Sequence, residues 1–314
     1  ECLVGSEMCI RDSTYTLTVD TNAVPAGKLV RCWLPYPRTD QSRQRDVKFI
    51  SASEPEYVFS PQECRHSTLY MEKRAVQGEP TVFSETFEYT SCGEWHNLRA
   101  EDVLPYDTTA ALYKEYTAER EKHIVFSPRL RELAAKLTAG ETNPYLKAKR
   151  IFRWINDHFP WASAREYSTI ENIPEYVLDN RHGDCGQVSL LFITLCRISG
   201  IPAHFQSGFM MHPRAWNLHD WAEVYFEGVG WVPVDQSFGI PAFARNADEE
   251  YFFLGGIDSW RMIVNTDYGM PLVPEKKYPR SETVDFQRGE VEWEGGNLYF
   301  PQWSYHMDID YLNY

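Results

Sequence analysis

The stretch from Arg181 to Phe205, RHGDCGQVSLLFITLCRISGIPAHF, constrains the fold more than any other part of the sequence. Nearly every residue from Val188 to Ile198 is apolar, and a helix that is apolar on all sides must be surrounded by protein. Cys185 stands just ahead of this run, between Asp184 and Gly186. The fold therefore has to bury a helix that carries a cysteine at its first turn.

Local signals place the ends of this helix. Asp184 is a good N-cap residue, and Gln187 stands three residues later, where the partner of a capping box belongs. Gly200 and Pro202 follow the apolar run in the order that is typical of a helix C-terminus. The pattern predicts a helix that begins at Cys185.

Two interpretations of Cys185 follow from this position. A cysteine in the first turn lies beside unpaired main-chain N–H groups and the positive end of the helix dipole, and both favour the thiolate, which is the nucleophilic form. Alternatively, Cys185 is one more small buried hydrophobic residue, as most free cysteines are. Cys196, inside the apolar run, fits the second interpretation better.

The whole chain limits the class of protein. Its 314 residues suggest about two domains, and its 43% hydrophobic and 15% aromatic content is typical of a globular protein. A net charge of −14 argues against a nucleic-acid partner or an anionic membrane surface. The sequence has no run of about 18 apolar residues, so it predicts no membrane span. Outside residues 1–13 there are five cysteines without a disulfide framework, which leaves the compartment open.

The chain changes character along its length. Short segments rich in β-branched and aromatic residues, separated by turn formers, predict a β-sandwich over residues 14–106, while residues 1–13 are set aside as a non-native or disordered tail. Ser127 before Pro128 and Asn143 before Pro144 then predict two helix starts. Strands are expected after the central helix, and residues 276–314 are expected to form a β-rich extension.

A nucleophilic cysteine needs a base and a group that orients the base. His219 opens the predicted strand HDWAEVYF, and Asp235 closes the next one, GWVPVD. A three-residue loop of Phe226, Glu227 and Gly228 would put both side chains on one face of the hairpin, with Gly228 in the left-handed conformation. A two-residue loop of Gly228 and Val229 would put them on opposite faces.

These segments resemble the transglutaminase-like superfamily, which has a papain-like thiol enzyme core. The matching residues are GDCGQ with Cys185, GIPAHFQSGFM, and HDWAEVYFEGVGWVPVDQSFG with His219 and Asp235. The resemblance covers roughly residues 145 to 240. It implies an α+β fold in which a cysteine-bearing helix packs on an antiparallel sheet, within a catalytic domain over residues 107–275. The predicted N-terminal β-sandwich would then be an accessory domain.

The resemblance also implies roles for residues. Cys185 would be the nucleophile, His219 the general base and acid, and Asp235 the residue that orients the imidazole. The main-chain N–H of Cys185 would be one oxyanion donor, with Tyr167 and Trp161 as candidates for a second. Trp221 and Trp231 are expected to pack the sheet behind the triad, or to wall a substrate slot. No metal or other cofactor is expected, because His182 and Cys185 form the only compact pair with metal-ligand spacing.

The expected reaction is thiol-dependent acyl transfer on a protein or peptide amide through a thioester. Hydrolysis by a peptidase or amidase is favoured, since the sequence shows no sheltered amine site that would keep water out. Transamidation of protein glutamine is the alternative. A catalytically inactive binding or cell-surface module is a rival of another class. An extracytoplasmic location follows from the resemblance alone, and the sequence does not specify an oligomeric state.

Overall fold

The computed structural model describes residues 2–163 and 165–312, and the side chains of residues 13–163 and 165–311. The fold is α+β, with antiparallel sheets and short to medium helices. The chain divides into two compact units. One comprises Glu1–Leu3, Gly93–Gln206 and His219–Asp258, and the other comprises Val4–Cys92, Ser207–Leu218 and Ser259–Tyr314.

The unit that contains Cys185 carries the helices. They are α1 (Ala111–Tyr116), α2 (Pro128–Leu137), α3 (Pro144–His158), α4 (Ile173–Asn180), α5 (Cys185–Ile198) and α6 (Ala247–Glu250). Ser127 and Asn143 cap α2 and α3 by accepting the N–H groups of Leu130 and Leu146, and Pro128 and Pro144 follow as predicted. Helix α5 is buried from Gly186 to Arg197 and contacts α2, α3 and α4. The helix bundle thus encloses the apolar run that the sequence requires to be buried.

Strands complete both units. They are β1 (Cys2–Val19), β2 (Leu29–Pro35), β3 (Gln44–Ala52), β4 (Tyr57–Phe59), β5 (Thr68–Arg74), β6 (Thr81–Trp95), β7 (Ala203–Met210), β8 (Asn217–Phe226), β9 (Gly230–Val234), β10 (Gly256–Ile257), β11 (Arg261–Asn265), β12 (Glu290–Trp293), β13 (Gly296–Leu298) and β14 (Trp303–Leu312). Strand β1 begins at Cys2, so the main chain of residues 2–13, within the predicted tail, lies in a strand, while Glu1 lies outside the described residues. The predicted non-native origin of this tail is a separate question, which stays a prediction.

The second unit is built from both ends of the chain. Strand β12 pairs with β2, with Val291 opposite Cys32, and β14 pairs with β1, with Met307 opposite Tyr15. A single buried cluster contains side chains from β1, β2, β5 and β6. The bounds of this compact unit therefore differ from the predicted domain boundaries at residues 106 and 275, because antiparallel pairing joins the C-terminal strands to the N-terminal ones. The predicted division into accessory domain, catalytic domain and extension stays a prediction.

Candidate active site

Helix α5 begins at Cys185, as the sequence predicts. The Asp184 carboxylate accepts the N–H of Gln187 at 3.1 Å, and the Gln187 side-chain oxygen accepts the N–H of Asp184 at 3.3 Å. This reciprocal pair is the predicted capping box. It fixes the entry of the chain into the helix and so places the half-buried thiol of Cys185 at the first turn.

The β8–β9 hairpin positions His219 and Asp235. Tyr225 pairs with Trp231 and Phe226 with Gly230, so the loop consists of Glu227, Gly228 and Val229. The loop has an odd number of residues, as the face argument requires, but its centre is Gly228 and the predicted centre at Glu227 is wrong. Gly228 has the left-handed conformation, with φ of 88°. Continuing the register puts Asp235 opposite Trp221, two residues from His219 on the same face of the strand.

His219 and Asp235 form a buried hydrogen-bonded pair. Nε2 of His219 lies 2.7 Å from Oδ2 of Asp235, and the Asp235 side chain is fully buried. The second oxygen of Asp235, Oδ1, accepts the main-chain N–H of Phe238 at 3.1 Å. The imidazole stacks on Trp221, and the ring of Phe238 packs edge-on against it with centroids 5.4 Å apart. These contacts hold the imidazole in one orientation.

The thiol of Cys185 has a carboxylate for a neighbour. Its Sγ donates to Oδ2 of Asp220 at 3.4 Å. The Tyr167 hydroxyl donates to Asp184 at 2.6 Å and lies 3.4 Å from the same Asp220 oxygen. Sequence reasoning missed Asp220, although it directly follows His219 in the motif HDW. Because successive side chains of a strand point to opposite faces, a site built on the face of His219 is not expected to include Asp220.

These carboxylates change the electrostatics expected for the thiol. Burial raises the pKa of the Cys185 thiol well above its ordinary value, and the charges of Asp220 and Asp184 raise it further. The helix N-terminus, which favours the thiolate by at most about 2 kcal/mol, is thus opposed here by desolvation and two anions. The effect of a charged His219 on this thiol stays a prediction. Burial likewise raises the pKa of Asp184, while the hydrogen bond from Tyr167 and the charge of His219 act against that shift.

The two candidate oxyanion donors lie in different settings. The Tyr167 hydroxyl has one hydrogen and directs it to Asp184, so it would have to turn before it could bind an oxyanion. The main chain of Trp161 forms a bridge with Gly183, and its side chain is 61% exposed. Trp161 thus lies beside the loop that leads to Cys185. Both roles stay predictions.

The two tryptophans proposed to flank the hairpin are structural in this geometry. Trp221 is fully buried and donates its indole N–H to Gln206 at 2.5 Å. Gln206 in turn donates to Glu223, which also pairs with His204 at 3.1 Å. Trp231 packs against Tyr116, His204 and Tyr225. It stands four residues before Asp235, about 13 Å along the strand at roughly 3.3 Å per residue. A substrate slot walled by Trp221 or Trp231 stays a prediction.

The described residues also bear on metal and membrane binding. Among the side chains of residues 13–163 and 165–311, no three histidine, cysteine, aspartate or glutamate groups come close enough together to hold a metal ion. None of the helices in that same part of the chain combines the length and the apolar character needed to cross a membrane.

Gly186 allows the close packing around the thiol. A Cβ atom at this position would lie 2.5 Å from the Tyr167 hydroxyl oxygen and 2.6 Å from Oδ2 of Asp220. We expect Gly186→Ala to lower kcat/KM about 100-fold, because a displacement of about 1 Å at the nucleophile costs this much. Steady-state kinetics on a chromogenic amide substrate would measure the effect.

Ser189→Ala is the matched control for Gly186→Ala. Ser189 is a small, fully buried residue one turn further along α5, and its hydroxyl has no hydrogen-bond partner among the described residues. Its replacement leaves Tyr167 and Asp220 untouched. Equal losses of kcat/KM in both variants would show that general damage to the helix, and not the crowding of Tyr167 and Asp220, is responsible.

Comparisons with known proteins show what the segment around this site resembles. Residues 131–236 match the family model described as the Transglutaminase-like superfamily. Over 140 residues the chain is 26% identical to the uncharacterized protein YebA of Bacillus subtilis. This alignment covers 38% of this chain and 19% of that protein. Over 125 residues it is 23% identical to a protein-glutamine gamma-glutamyltransferase of Pseudomonas aeruginosa, covering 36% of this chain and 19% of that protein. The chain thus spans about a fifth of the length of these two relatives.

A solved structure extends the likeness to the fold. The crystal structure of a candidate cysteine protease from Cytophaga hutchinsonii matches with a TM-score of 0.61 and covers 98% of this chain and 92% of that chain. At 16% identity this likeness shows the shared fold alone. The matched segment 131–236 contains Cys185, His219 and Asp235. Over this core, about a third of its length, the chain is similar to the transglutaminase-like superfamily.

Proposed function

We propose that the protein is a thiol-dependent acyl-transfer enzyme that acts on protein or peptide amides and most readily transfers the acyl group to water. Cys185 is the nucleophile, His219 the general base and acid, and Asp235 the orienting residue. The observation that carries the proposal is the buried 2.7 Å contact between His219 Nε2 and Asp235, in the same matched core as the cysteine at the helix start. No metal or other cofactor takes part in this chemistry.

The geometry of His219 decides which ring atom takes part. Because Asp235 binds Nε2, proton exchange with the thiol proceeds through Nδ1. Nδ1 takes the Cys185 proton as Sγ attacks the amide carbonyl carbon, and the carbonyl oxygen becomes an oxyanion. The main-chain N–H of Cys185 stabilises that oxyanion, with Trp161 as the candidate for a second donor.

The intermediate then collapses to a thioester. The C–N bond breaks, and the imidazolium of His219 gives its proton to the departing amine. A water molecule next gives a proton to His219 as its oxygen attacks the thioester carbonyl. The C–S bond breaks, the carboxylic acid leaves, and the thiol is regenerated. Each step returns the proton that the previous one removed, so no further reactant is needed.

Transamidation is the second candidate, because a matched relative is named as a protein-glutamine gamma-glutamyltransferase. The two reactions share the thioester and differ only in what attacks it. Water at roughly 55 M competes with every amine, so transamidation needs a site that excludes water. The inactive binding module is the rival of this proposal. We also propose an extracytoplasmic location, which needs a separate test.

One experiment separates these outcomes. The protein is incubated with a glutamine-containing peptide and an isotope-labelled primary amine, and the products are read by mass spectrometry. We expect cleaved or deamidated peptide without label, because water is the favoured acceptor. Label attached to the glutamine would instead establish transamidation.

Cys185→Ala is the matched control for this experiment, and neither product is expected from it. An intact-protein mass increase that corresponds to an acyl-enzyme is expected only in the wild type. If the wild type formed no acyl-enzyme with any peptide amide, the inactive binding module would be the better description.

A further inference from the structure

Asp220 is a buried acid beside the nucleophile that the proposed reaction does not use. Its side chain is 2% exposed, and its carboxylate lies 3.4 Å from Sγ of Cys185. Burying a carboxylate costs free energy unless hydrogen bonds or nearby charges compensate it, and the partners of Asp220 here include the thiol and the Tyr167 hydroxyl. The contact with a reacting atom makes Asp220 a candidate for a role at the site.

The same residue contacts the thiol from two sides. The Asp220 carboxylate accepts the S–H, and the main-chain N–H of Asp220 donates to the sulfur. The Tyr167 hydroxyl lies beside this carboxylate, and Gly186, which lacks a Cβ atom, lets the carboxylate approach the start of α5. Two hydrogen bonds to one neighbouring residue restrict the rotation of the Cys185 side chain.

We propose that Asp220 is a positioning residue that fixes the side chain of Cys185 and keeps it as a neutral thiol in the resting protein. This inference rests on the proposed function, because it concerns the protonation state of Cys185 as the proposed nucleophile. It assigns Asp220 a role that is separate from those of His219 and Asp235.

The charges around the thiol support this assignment. The titratable groups around this site come from four elements. Asp184 at the start of α5 and Asp220 on β8 act on the thiol, and Tyr167, in the loop before α4, contacts both of these carboxylates. His219 on β8 acts on Asp184 and pairs with Asp235, which follows β9. Three of these side chains are carboxylic acids, and His219 is the one base. Carboxylates disfavour a nearby thiolate, while the N–H of Asp220 favours it. The carboxylates outweigh this N–H, in agreement with the raised pKa of the Cys185 thiol.

A neutral resting thiol has a chemical consequence. The thiolate forms only when His219 removes the proton, so the nucleophile is activated together with attack on a bound amide. Reagents that need a preformed thiolate, such as iodoacetamide, react slowly with a thiol of this kind. The alkylation rate of Cys185 therefore reports the role of Asp220 without any knowledge of the substrate.

The test is the pH dependence of Cys185 alkylation by iodoacetamide, read for each cysteine by peptide mass spectrometry. In this reaction the thiolate sulfur displaces iodide and forms an S–C bond. Asp220→Asn keeps the shape of the side chain and removes its charge. We expect the midpoint of the alkylation profile to move to lower pH by about one unit or more, the size of shift that one adjacent charge produces.

Two controls make the result specific. Asp179→Asn removes an exposed carboxylate on α4 that pairs with Arg129, and we expect it to leave the midpoint unchanged. Should Asp220→Asn fail to fold, the ultraviolet absorbance of wild type minus Cys185→Ser at neutral pH gives the thiolate content directly. A thiolate signal in the wild type, or an unchanged or raised midpoint in Asp220→Asn, overturns the proposal.

The outcome is distinguishable from failure of the proposed function. A shifted midpoint without any acyl-enzyme would uphold the role of Asp220 and reject acyl transfer. An unshifted midpoint in a protein that turns over peptide amides through Cys185 would do the reverse.

Discussion

Replacement of Cys185 by alanine is expected to abolish acyl transfer, lowering kcat/KM by at least about 10⁴-fold while the fold stays intact. Removal of a nucleophile eliminates the covalent route, and the remaining oxyanion donors give only weak catalysis. The side chain of Cys185 is half-buried and alanine is a good helix former, so the start of α5 tolerates the change. Initial rates on a peptide amide, with circular dichroism as the measure of folding, test this expectation.

Cys196→Ala is the matched control within the same helix. Cys196 is fully buried in the apolar run, so its replacement should cost stability, on the order of 1 kcal/mol, and leave the chemistry unchanged. His219→Ala should resemble Cys185→Ala in rate, since the thiol then has no proton acceptor. If Cys196→Ala reduced turnover as much as Cys185→Ala at unchanged stability, the assignment of the nucleophile would be wrong.

Local signals in the sequence predicted the parts of the site that depend on neighbouring residues. The start of α5 depends on Asp184, Cys185 and Gln187, which are adjacent in the chain, and their capping geometry follows from residue type alone. The odd loop between β8 and β9 was likewise accessible, because Gly228 supplies the left-handed conformation that such a loop needs.

The centre of that loop was not predictable with the same certainty. Centres at Glu227 and at Gly228 both leave His219 and Asp235 on one face, since they differ by two residues in register. The alternation of side chains along the strands therefore predicts that His219 and Asp235 share a face, but not which residue lies opposite each of them. Only pairing across the hairpin, with Phe226 opposite Gly230, distinguishes the two.

The contact between Cys185 and Asp220 lay beyond sequence reasoning. The two residues are 35 positions apart, and they meet because helix α5 begins beside the first residues of β8. A helix start favours a thiolate in isolation, but the sign of the effect depends on charges that only the tertiary fold brings near. The strand pairing of the second unit was not predictable from the sequence either, because no local signal indicates that β12 pairs with β2.

Asp235→Asn is expected to lower kcat/KM by about 10²- to 10⁴-fold and to leave measurable activity. The reason lies in the two oxygens of Asp235. Oδ1 accepts the main-chain N–H of Phe238 at 3.1 Å, so an asparagine keeps its oxygen there and turns its NH₂ group towards His219. An NH₂ group donates to Nε2 and so favours the proton on Nδ1, where the thiol requires an acceptor.

This prediction has a readout that loss of packing alone would not change. The nitrogen chemical shifts of the His219 ring report which nitrogen carries the proton, and we expect the proton to move from Nε2 to Nδ1 in Asp235→Asn. Asp179→Asn, at an exposed position on α4, is the control and should leave both the shifts and the rate unchanged. A fully active Asp235→Asn variant with an altered tautomer would mean that His219 is not the base, whereas an unaltered tautomer with lost activity would assign Asp235 a role other than orientation.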